Sequence, residues 1–299
     1  MRFGIDVMHQ IDLLIPRDAT PGAIPSYVAQ FDFPALVRKI AGHGFDPVEL
    51  GGDLAMFMPP AFSPSTMASL AKLKQELALS YTVHLPLWSV EPSTPLAPVR
   101  EGSVRAVTDI VRATLPLAPE VYVLHATGPL AAEFYRMQLP ETVRPIFIAQ
   151  FQSYAKESAQ AILAETGLPS RKLAVETIEF PFDMTLQMAD ELDLSMCLDT
   201  GHVLSGFSGP IGLFEALERC LPRLAEIHLH DAPWQGPELN IQYGKDHQPL
   251  GTADLEVGRF LDRLKGANWS GPLILEMPIQ SALASLDAIR QLRPEAITK

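Results

Sequence analysis

Imidazole and carboxylate side chains recur at the ends of short apolar segments in this sequence. Six of the eight histidines stand at or just after such segments: His84, His125, His202, His228, His230 and His247. Three carboxylates end similar segments: Glu176, Asp199 and Glu276. Neutral imidazoles and carboxylates together form a ligand set for Zn²⁺, Mn²⁺ or a similar divalent ion. A lone histidine at a strand end is more often a hydrogen-bonded structural residue, so the prediction depends on whether these side chains meet.

The elements that must position them alternate along the chain. Apolar, β-branched segments predict eight strands, at 3–7, 46–50, 80–85, 120–125, 172–177, 194–199, 225–230 and 272–276. Helical apolar spacing predicts eight helices, near 32–42, 64–78, 99–115, 140–166, 183–191, 211–220, 254–267 and 280–291. In the second of these helices, Ser63 is suited to the N-cap and Pro64 to the first helical position.

Eight β/α repeats in 299 residues match the size of a (β/α)8 barrel. A doubly wound sheet is the competing architecture, but no glycine-rich turn follows the first strand. No linker divides the sequence, so we predict a single TIM-barrel domain over 1–299, with long loops at its C-terminal rim. Because the C-terminal ends of all barrel strands converge there, the histidines and carboxylates should surround one pocket. A carboxylate buried there needs a cation or an arginine to offset its charge.

Composition excludes several classes of protein. Against 35 Asp and Glu stand only 23 Lys and Arg, a net charge of −12, which argues against a surface for nucleic acid. No apolar run approaches the ~20 residues of a membrane-spanning helix, and the first residues lack the apolar run of a signal peptide. Two cysteines, Cys197 and Cys220, are too few for a disulfide framework. A cytoplasmic setting is expected.

Seven segments carry a recognisable order of motifs. They are TVHLP at 82–86, VLH at 123–125, AVET at 174–177, CLDTGH at 197–202, IHLHD at 227–231, DHQPLG at 246–251 and LILE at 273–276. In this order they resemble the xylose isomerase-like barrels (AP endonuclease family 2). That superfamily includes sugar isomerases and epimerases as well as endonuclease IV-type phosphodiesterases. The resemblance covers nearly the whole chain.

The resemblance implies different ion numbers for the two chemistries. The isomerase branch holds one divalent ion, here by Glu176, Asp199, His228 and Glu276, and the two glutamates would relay a proton. The endonuclease IV-like branch adds histidines on the third and fourth strands, here His84 and His125, which permit a second ion. Two ions about 3.5–4 Å apart can hold a phosphoryl group and activate water. We therefore expect two or three ions, Zn or Mn, and catalytic roles for Glu176, Glu276, His202 and His247.

A third ion would need His202, His247 and an aspartate two residues before that histidine. Lys245 stands at that position, and Asp246 is adjacent. Either Asp246 substitutes as a ligand or Lys245 contacts a substrate phosphate. Asp231 or Asp246 is the expected acceptor that orients the histidine ligands.

The substrate predicted from these features is a small molecule, since the negative charge argues against DNA. Apolar and proline-rich rim segments, with Trp234 and Tyr243 in the long stretch 231–253, suit a bulky, partly apolar ligand. The residues expected to bind substrate are Trp88, His230, Trp234, Lys245 and Asp246.

Four further phrases resemble the cobamide-remodelling phosphodiesterases: VELGGDL at 48–54, HLPLWSVEP at 84–92, ETIEFP at 176–181 and GKDHQPL at 244–250. This resemblance implies cleavage of the phosphoester in the nucleotide loop of a corrinoid. It implies that Glu49, Asp53, Glu91 and Glu179 are rim residues, and a solvated or structural role is the equal alternative for each. The predicted function is therefore a metal-dependent phosphodiesterase for a corrinoid or a phosphorylated, sugar-like molecule. A single-metal sugar isomerase or epimerase is the alternative, and a barrel that binds ligand without turnover is a third hypothesis.

Overall fold

Eight parallel strands close into one barrel in the computed structural model, which describes residues 1–13, 18–235 and 244–297. They are β1 (Arg2–Asp6), β2 (Val48–Gly51), β3 (Tyr81–His84), β4 (Tyr122–Leu124), β5 (Leu173–Glu176), β6 (Ser195–Asp199), β7 (Leu224–His228) and β8 (Pro272–Leu275). They follow sequence order, and β8 pairs with β1 to close the ring. Each overlaps a predicted strand, so the (β/α)8 barrel is confirmed. Tyr243 lies outside the described residues.

The described helices include one for each predicted helix. They are α1 (Ile24–Ala29), α2 (Phe33–Ala41), α3 (Leu54–Phe57), α4 (Pro64–Leu77), α5 (Ala97–Thr114), α6 (Pro129–Arg136), α7 (Arg144–Thr166), α8 (Phe182–Glu191), α9 (Thr200–Leu204), α10 (Leu213–Cys220), α11 (Val257–Gly266) and α12 (Ile279–Leu292). Four short helices were not predicted. They are α1, α3, α6 and α9, and each lies in a segment that follows a strand, at the rim that carries the polar residues.

Local capping explains two of these helix starts. Ser63 accepts a hydrogen bond from the N–H of Thr66 at 3.3 Å and Pro64 follows it, as predicted for α4. Asp199 plays the same part for α9, because its Oδ1 accepts the N–H of His202 at 2.6 Å. The Asp199 carboxylate, which ends β6, therefore also fixes the start of α9, the helix that carries His202.

The strands are buried on both faces, since helices cover the outside of the barrel and side chains fill its interior. The pairing of neighbouring strands sets their C-terminal ends at similar heights along the barrel. Gly51 pairs with His84, Glu176 with Cys197, and Asp199 with His228. No helix in the described ranges is long and apolar enough to cross a membrane.

Candidate metal centre

Consecutive strands deliver the predicted ligands to a single point at the C-terminal rim. Those that end a strand are His84, Glu176, Asp199 and His228, and those that directly follow one are His125 and Glu276. All six are nearly or fully buried or line the cavity described below. The barrel therefore brings together the six side chains that the strand-end pattern selected.

Glu176 lies at the centre of the cluster and offers a different oxygen to each side. Its Oε2 lies 2.9 Å from Nε2 of His125 and 3.2 Å from Nε2 of His84. Its Oε1 lies 3.3 Å from Nδ1 of His202 and 3.4 Å from Nδ1 of His228. Imidazole nitrogens are therefore grouped around both oxygens of the Glu176 carboxylate, so each oxygen could serve as a ligand beside a different pair of histidines.

His228 shows that the donor set suits an ion. Its Nδ1 lies 3.4 Å from Oε1 of Glu276 and 3.9 Å from Oδ2 of Asp199. The side chain is fully buried, and Nδ1 has no hydrogen-bond partner among the described residues. A buried ring nitrogen without a partner, aimed between three carboxylates, is what a metal ligand requires.

A third group of donors comes from the segment after β7. Oδ2 of Asp246 lies 3.1 Å from Nδ1 of His247 and 3.9 Å from Nε2 of His202. Lys245 is exposed. Of the two alternatives at this position, Asp246 is the residue that faces the histidines. His247 has φ +57°, a left-handed conformation that costs energy in a residue other than glycine.

His230 lies behind the ligands, although the sequence predicted it in contact with substrate. It is fully buried, and its Nε2 lies 2.9 Å from Oδ2 of Asp199. Its Nδ1 accepts the backbone N–H of His247 at 2.8 Å. Burial lowers the pKa of His230, so the ring is neutral, with the proton on Nε2. Both ring nitrogens are therefore used within the protein.

The charges of the cluster balance one another. Burial by itself lowers the pKa of a histidine, but the hydrogen bond to Glu176, the charge of Glu176 and the charge of Glu49 together outweigh burial and raise the pKa of His84 to about 10. Neighbouring carboxylates likewise raise the pKa of His202 to about 9 and that of His247 to about 11. Burial opposes ionisation of Glu176 and Glu276, yet the facing histidines hold the pKa of both well below the usual value. The carboxylates thus stay ionised in the barrel.

Several sets of three donors lie close enough to hold an ion, with all ligand atoms within 4.8 Å of one another. They include His84 with His125 and Glu176; His84 with His228 and Glu276; and His202 with Asp246 and His247. Imidazole and carboxylate donors of this kind suit Zn²⁺ or Mn²⁺. The residues fit a divalent ion, and the identity and number of ions remain predictions.

Two adjoining cavities open at these ligands. One, of about 210 Å³, is lined by the cluster and by Asp6, His9, Asp53, Leu87 and Trp88 among others. The other, of about 300 Å³, shares Leu87, His125 and His202 with it and extends to Arg136, Ile178 and Phe207. Trp88 is 54% exposed at the mouth. Trp234 is 42% exposed on its loop, so its contact with substrate stays a prediction.

Two residues of the first cavity were missed from the sequence. Asp6 ends β1, and its Oδ2 lies 3.0 Å from Nδ1 of His9. The ring of His9 lies 5.1 Å from that of His247, centre to centre. The strand-end rule that selected the other carboxylates applies equally to Asp6, so this signal was present in the sequence.

Three of the acidic residues that the resemblance implies at the rim make contacts within the protein, and one of them, Asp53, also lines the first cavity. Glu49 points into the barrel and is fully buried. Asp53 accepts the N–H of Leu87 at 3.0 Å. Glu91 accepts the N–H groups of Gly128 and Leu130, both at 2.8 Å, at the start of α6.

The fourth of these residues, Glu179, forms an ion pair with Arg136 at 3.1 Å beside the larger cavity. Asp231 does not orient a histidine. Its carboxylate accepts N–H groups along the following loop, including those of Gly251 and Leu255.

Fold and site together define a parallel (β/α)8 barrel with a candidate divalent-metal centre at its C-terminal rim. The chain belongs to the xylose isomerase-like TIM barrel family (AP endonuclease 2), whose profile matches residues 37–295.

Known proteins of this shape act on different substrates. The chain is 22% identical over 259 residues to an uncharacterized protein of Methanocaldococcus jannaschii, covering 85% of this chain and 83% of that one. A D-tagatose 3-epimerase-like protein superposes with a TM-score of 0.70 at 18% identity, covering 99% and 100% of the two chains. Endonuclease IV of Thermus thermophilus superposes with a TM-score of 0.61 at 20% identity, covering 99% and 100%. Further sugar epimerases share the fold. At these identities the superpositions show the fold alone.

Proposed function

We propose that the protein is a metal-dependent hydrolase that cleaves a small-molecule phosphodiester. The observation that carries the proposal is the position of Glu176 between two groups of imidazoles. His84 and His125 face one of its oxygens, and His202 and His228 face the other. A centre that needs one ion has little use for the first pair, whereas a phosphoryl group is best held by two.

Different residues would hold the ions, contact the phosphate and orient the histidines in the proposed reaction. Glu176, Asp199, His228 and Glu276 would hold one ion, and Glu176 with His84 and His125 would hold another. When bound, such ions supply Lewis acidity and an activated water. His202 and His247 line the same cavity and carry protons in the ion-free protein, so each can donate a hydrogen bond to a phosphate oxygen. Asp246 lies close enough to both histidines to keep their rings oriented.

A small substrate is supported by the size and lining of the mouth. The two cavities together offer room for a ligand of moderate size on either side of His125 and His202. At the mouth, Trp88 packs against Phe57, with ring centres 6.1 Å apart, and both rings are about half exposed. The net charge of −12 disfavours a polyanionic nucleic acid. A corrinoid remains a prediction from the sequence resemblance, and the comparisons lend it no support.

A sugar isomerase or epimerase is the second candidate, and the comparisons support it better than they support hydrolysis. The solved structures of similar fold include several sugar epimerases beside endonuclease IV. In that chemistry Glu176 and Glu276 would move a proton on either side of an ion-bound ketose. Both glutamates are ionised in the cluster, as a general base must be. The epimerase does not, however, account for His84 and His125.

Substrate turnover separates the candidates. Protein loaded with Zn²⁺ or Mn²⁺ is incubated with bis(4-nitrophenyl) phosphate, adenosylcobalamin, an abasic DNA duplex and a ketose panel in D2O. Cleavage of either small phosphodiester is the expected result. Deuterium incorporation into a ketose, with both small phosphodiesters intact, would replace the proposal by the epimerase. Binding of one of these compounds without any turnover would indicate a binding protein. Cleavage of the DNA duplex alone would show that the substrate is DNA.

A further inference from the structure

A second polar cluster lies inside the barrel, beneath the candidate metal ligands. It consists of Glu49 on β2, Thr82 on β3, and Glu226 and His228 on β7, and all four side chains are fully buried. The Thr82 hydroxyl lies 3.1 Å from Oε1 of Glu226 and 3.4 Å from Oε1 of Glu49. Nε2 of His228 lies 3.5 Å from Oε1 of Glu49 and 4.0 Å from Oε1 of Glu226.

Strand geometry places this cluster one layer below the rim. Glu226 precedes His228 by two residues on β7, so both side chains point to the same face of the sheet. Glu49 pairs with Thr82 across β2 and β3, which brings its carboxylate to the same level. His228 is therefore the residue through which the two layers meet, with Nδ1 toward the rim and Nε2 toward the interior.

These two acidic side chains have no Lys or Arg partner within the described part of the barrel. Burying a carboxylate costs several kcal/mol unless it is paired. Among the described residues no Lys or Arg forms an ion pair with Glu49 or Glu226, and one oxygen of each, Oε2, has no hydrogen-bond partner. Hydrophobic side chains would fill the same space at lower cost. The position of Glu49 and Glu226 beside Nε2 of His228 connects them to the site.

We propose that Glu49, held in place by Glu226 and Thr82, positions His228 as a metal ligand. Both ring nitrogens of His228 lack a hydrogen-bond partner among the described residues, and the carboxylate oxygen nearer to Nε2 is Oε1 of Glu49, at 3.5 Å. A proton on Nε2 directed at Glu49 would leave the lone pair on Nδ1 directed between Glu176 and Glu276. A histidine that ligates through one nitrogen is commonly fixed by an acceptor on the other. Glu49 and Glu226 are thus positioning residues. This inference rests on the metal centre proposed above.

Removing the acceptor tests the proposal. In Glu49→Leu we expect the metal-free protein to fold with reduced thermal stability, because removing one member of a buried polar cluster leaves its neighbours His228 and Thr82 without an acceptor. We expect its affinity for Zn²⁺, measured by competition with a chromophoric chelator, to fall about 10- to 100-fold. Glu49→Gln keeps an oxygen acceptor and should restore part of the loss. The visible spectrum of the Co²⁺-loaded protein should change in Glu49→Leu, because this spectrum depends on the geometry of the ligands and His228 is expected to be one of them.

Controls separate positioning from simple destabilisation. Thr108 on α5 is also fully buried with an unpartnered hydroxyl, but it lies outside the site, so Thr108→Val should leave Zn²⁺ affinity unchanged. In a His228→Ala background, Glu49→Leu should have no further effect on Zn²⁺ affinity, because its partner is already gone.

Three outcomes would overturn the inference. One is unchanged Zn²⁺ affinity in Glu49→Leu, with the wild type binding normally. Another is an additive loss in the His228→Ala background. The last is the loss of one whole equivalent of ion with the remaining affinity unchanged, which would make Glu49 and Glu226 ligands of an ion of their own. Failure of the wild-type protein to bind any divalent ion would instead overturn the proposed function, and this inference with it.

Discussion

The imidazole ring of His230 stacks on that of His247, with ring centres 4.2 Å apart and planes inclined by only 9°. The backbone N–H of His247 also donates to Nδ1 of the same ring. His247 has an unfavourable positive φ, and this double contact with a buried neighbour is what holds it there. His230 therefore connects the loop after β7 to Asp199 at the end of β6.

That contact predicts the result of His230→Phe. The ring and its stacking remain, but the contacts to Asp199 and to the N–H of His247 are lost. We expect the protein to fold and to bind Zn²⁺ about 10-fold more weakly, since residues that orient metal ligands have effects of that size. Competition with a chelator measures it. A raised KM with unchanged metal affinity would show that His230 contacts substrate, as the sequence first predicted.

His125→Ala distinguishes the two candidate functions. His125 contacts the oxygen of Glu176 that faces His84, and it is not among the four ligands expected to hold a single ion. Under the proposed hydrolysis, the variant should lose at least one equivalent of bound ion, measured by elemental analysis, and most of its turnover. Unchanged stoichiometry and turnover would favour the epimerase. Arg38→Ala, on the exposed face of α2, is the matched surface control.

Divalent ions should raise the thermal stability of the protein. Glu176, Asp199 and Glu276 are buried close together, so a cation that binds only the folded state stabilises it by mass action. At a free concentration of 100 times Kd the gain is about 2.7 kcal/mol. Thermal scans with and without EDTA measure it, and Ca²⁺, which prefers oxygen ligands alone, serves as the control. An unchanged Tm with Zn²⁺ or Mn²⁺ would contradict a metal centre at these residues.

Binding of the ion should release protons. In the ion-free protein the neighbouring carboxylates raise the pKa of His84, one of the expected ligands, to about 10, so its ring is protonated at pH 7. A histidine must be neutral to ligate, so metal affinity should strengthen as pH rises toward this value. Calorimetric titrations in two buffers of different ionisation enthalpy count the protons released. Equal heats in both buffers would show that this ring is neutral before the ion binds.

The cysteines should be inert in the native protein. Both are buried, and burial raises the pKa of Cys220 to about 12. Since only the thiolate reacts, almost none is present at pH 8, and labelling by a disulfide reagent should require unfolding. Two thiols should react at once in urea and none without it. Rapid labelling of the native protein would show that the C-terminal end of α10 opens readily.

The strand-end rule explains why most of the site could be predicted. His84, Glu176 and Asp199 each close an apolar segment, and parallel strands of a barrel end at the same rim. Glu49 shows the limit of that reasoning. The strands are buried on both faces, so period-2 alternation cannot tell an interior carboxylate from one at the rim.

The segment after β7 was less predictable for a different reason. Whether Lys245 or Asp246 faces the histidines depends on the left-handed backbone conformation of His247. The sequence does not predict that conformation, because histidine rarely adopts it. The role of His230 depends on its contacts with Asp199 and His247, which are distant in sequence.

The order of the strands around the barrel also has a consequence for the synthesis of the protein. The expected ligands run from His84 to Glu276, one from each of six successive strands or the residue after it, and β8 must pair with β1 to complete the barrel. During synthesis the nascent chain lacks Glu276 until β8 has been translated. An ion that needs all six side chains could therefore bind only after the eighth strand has been made.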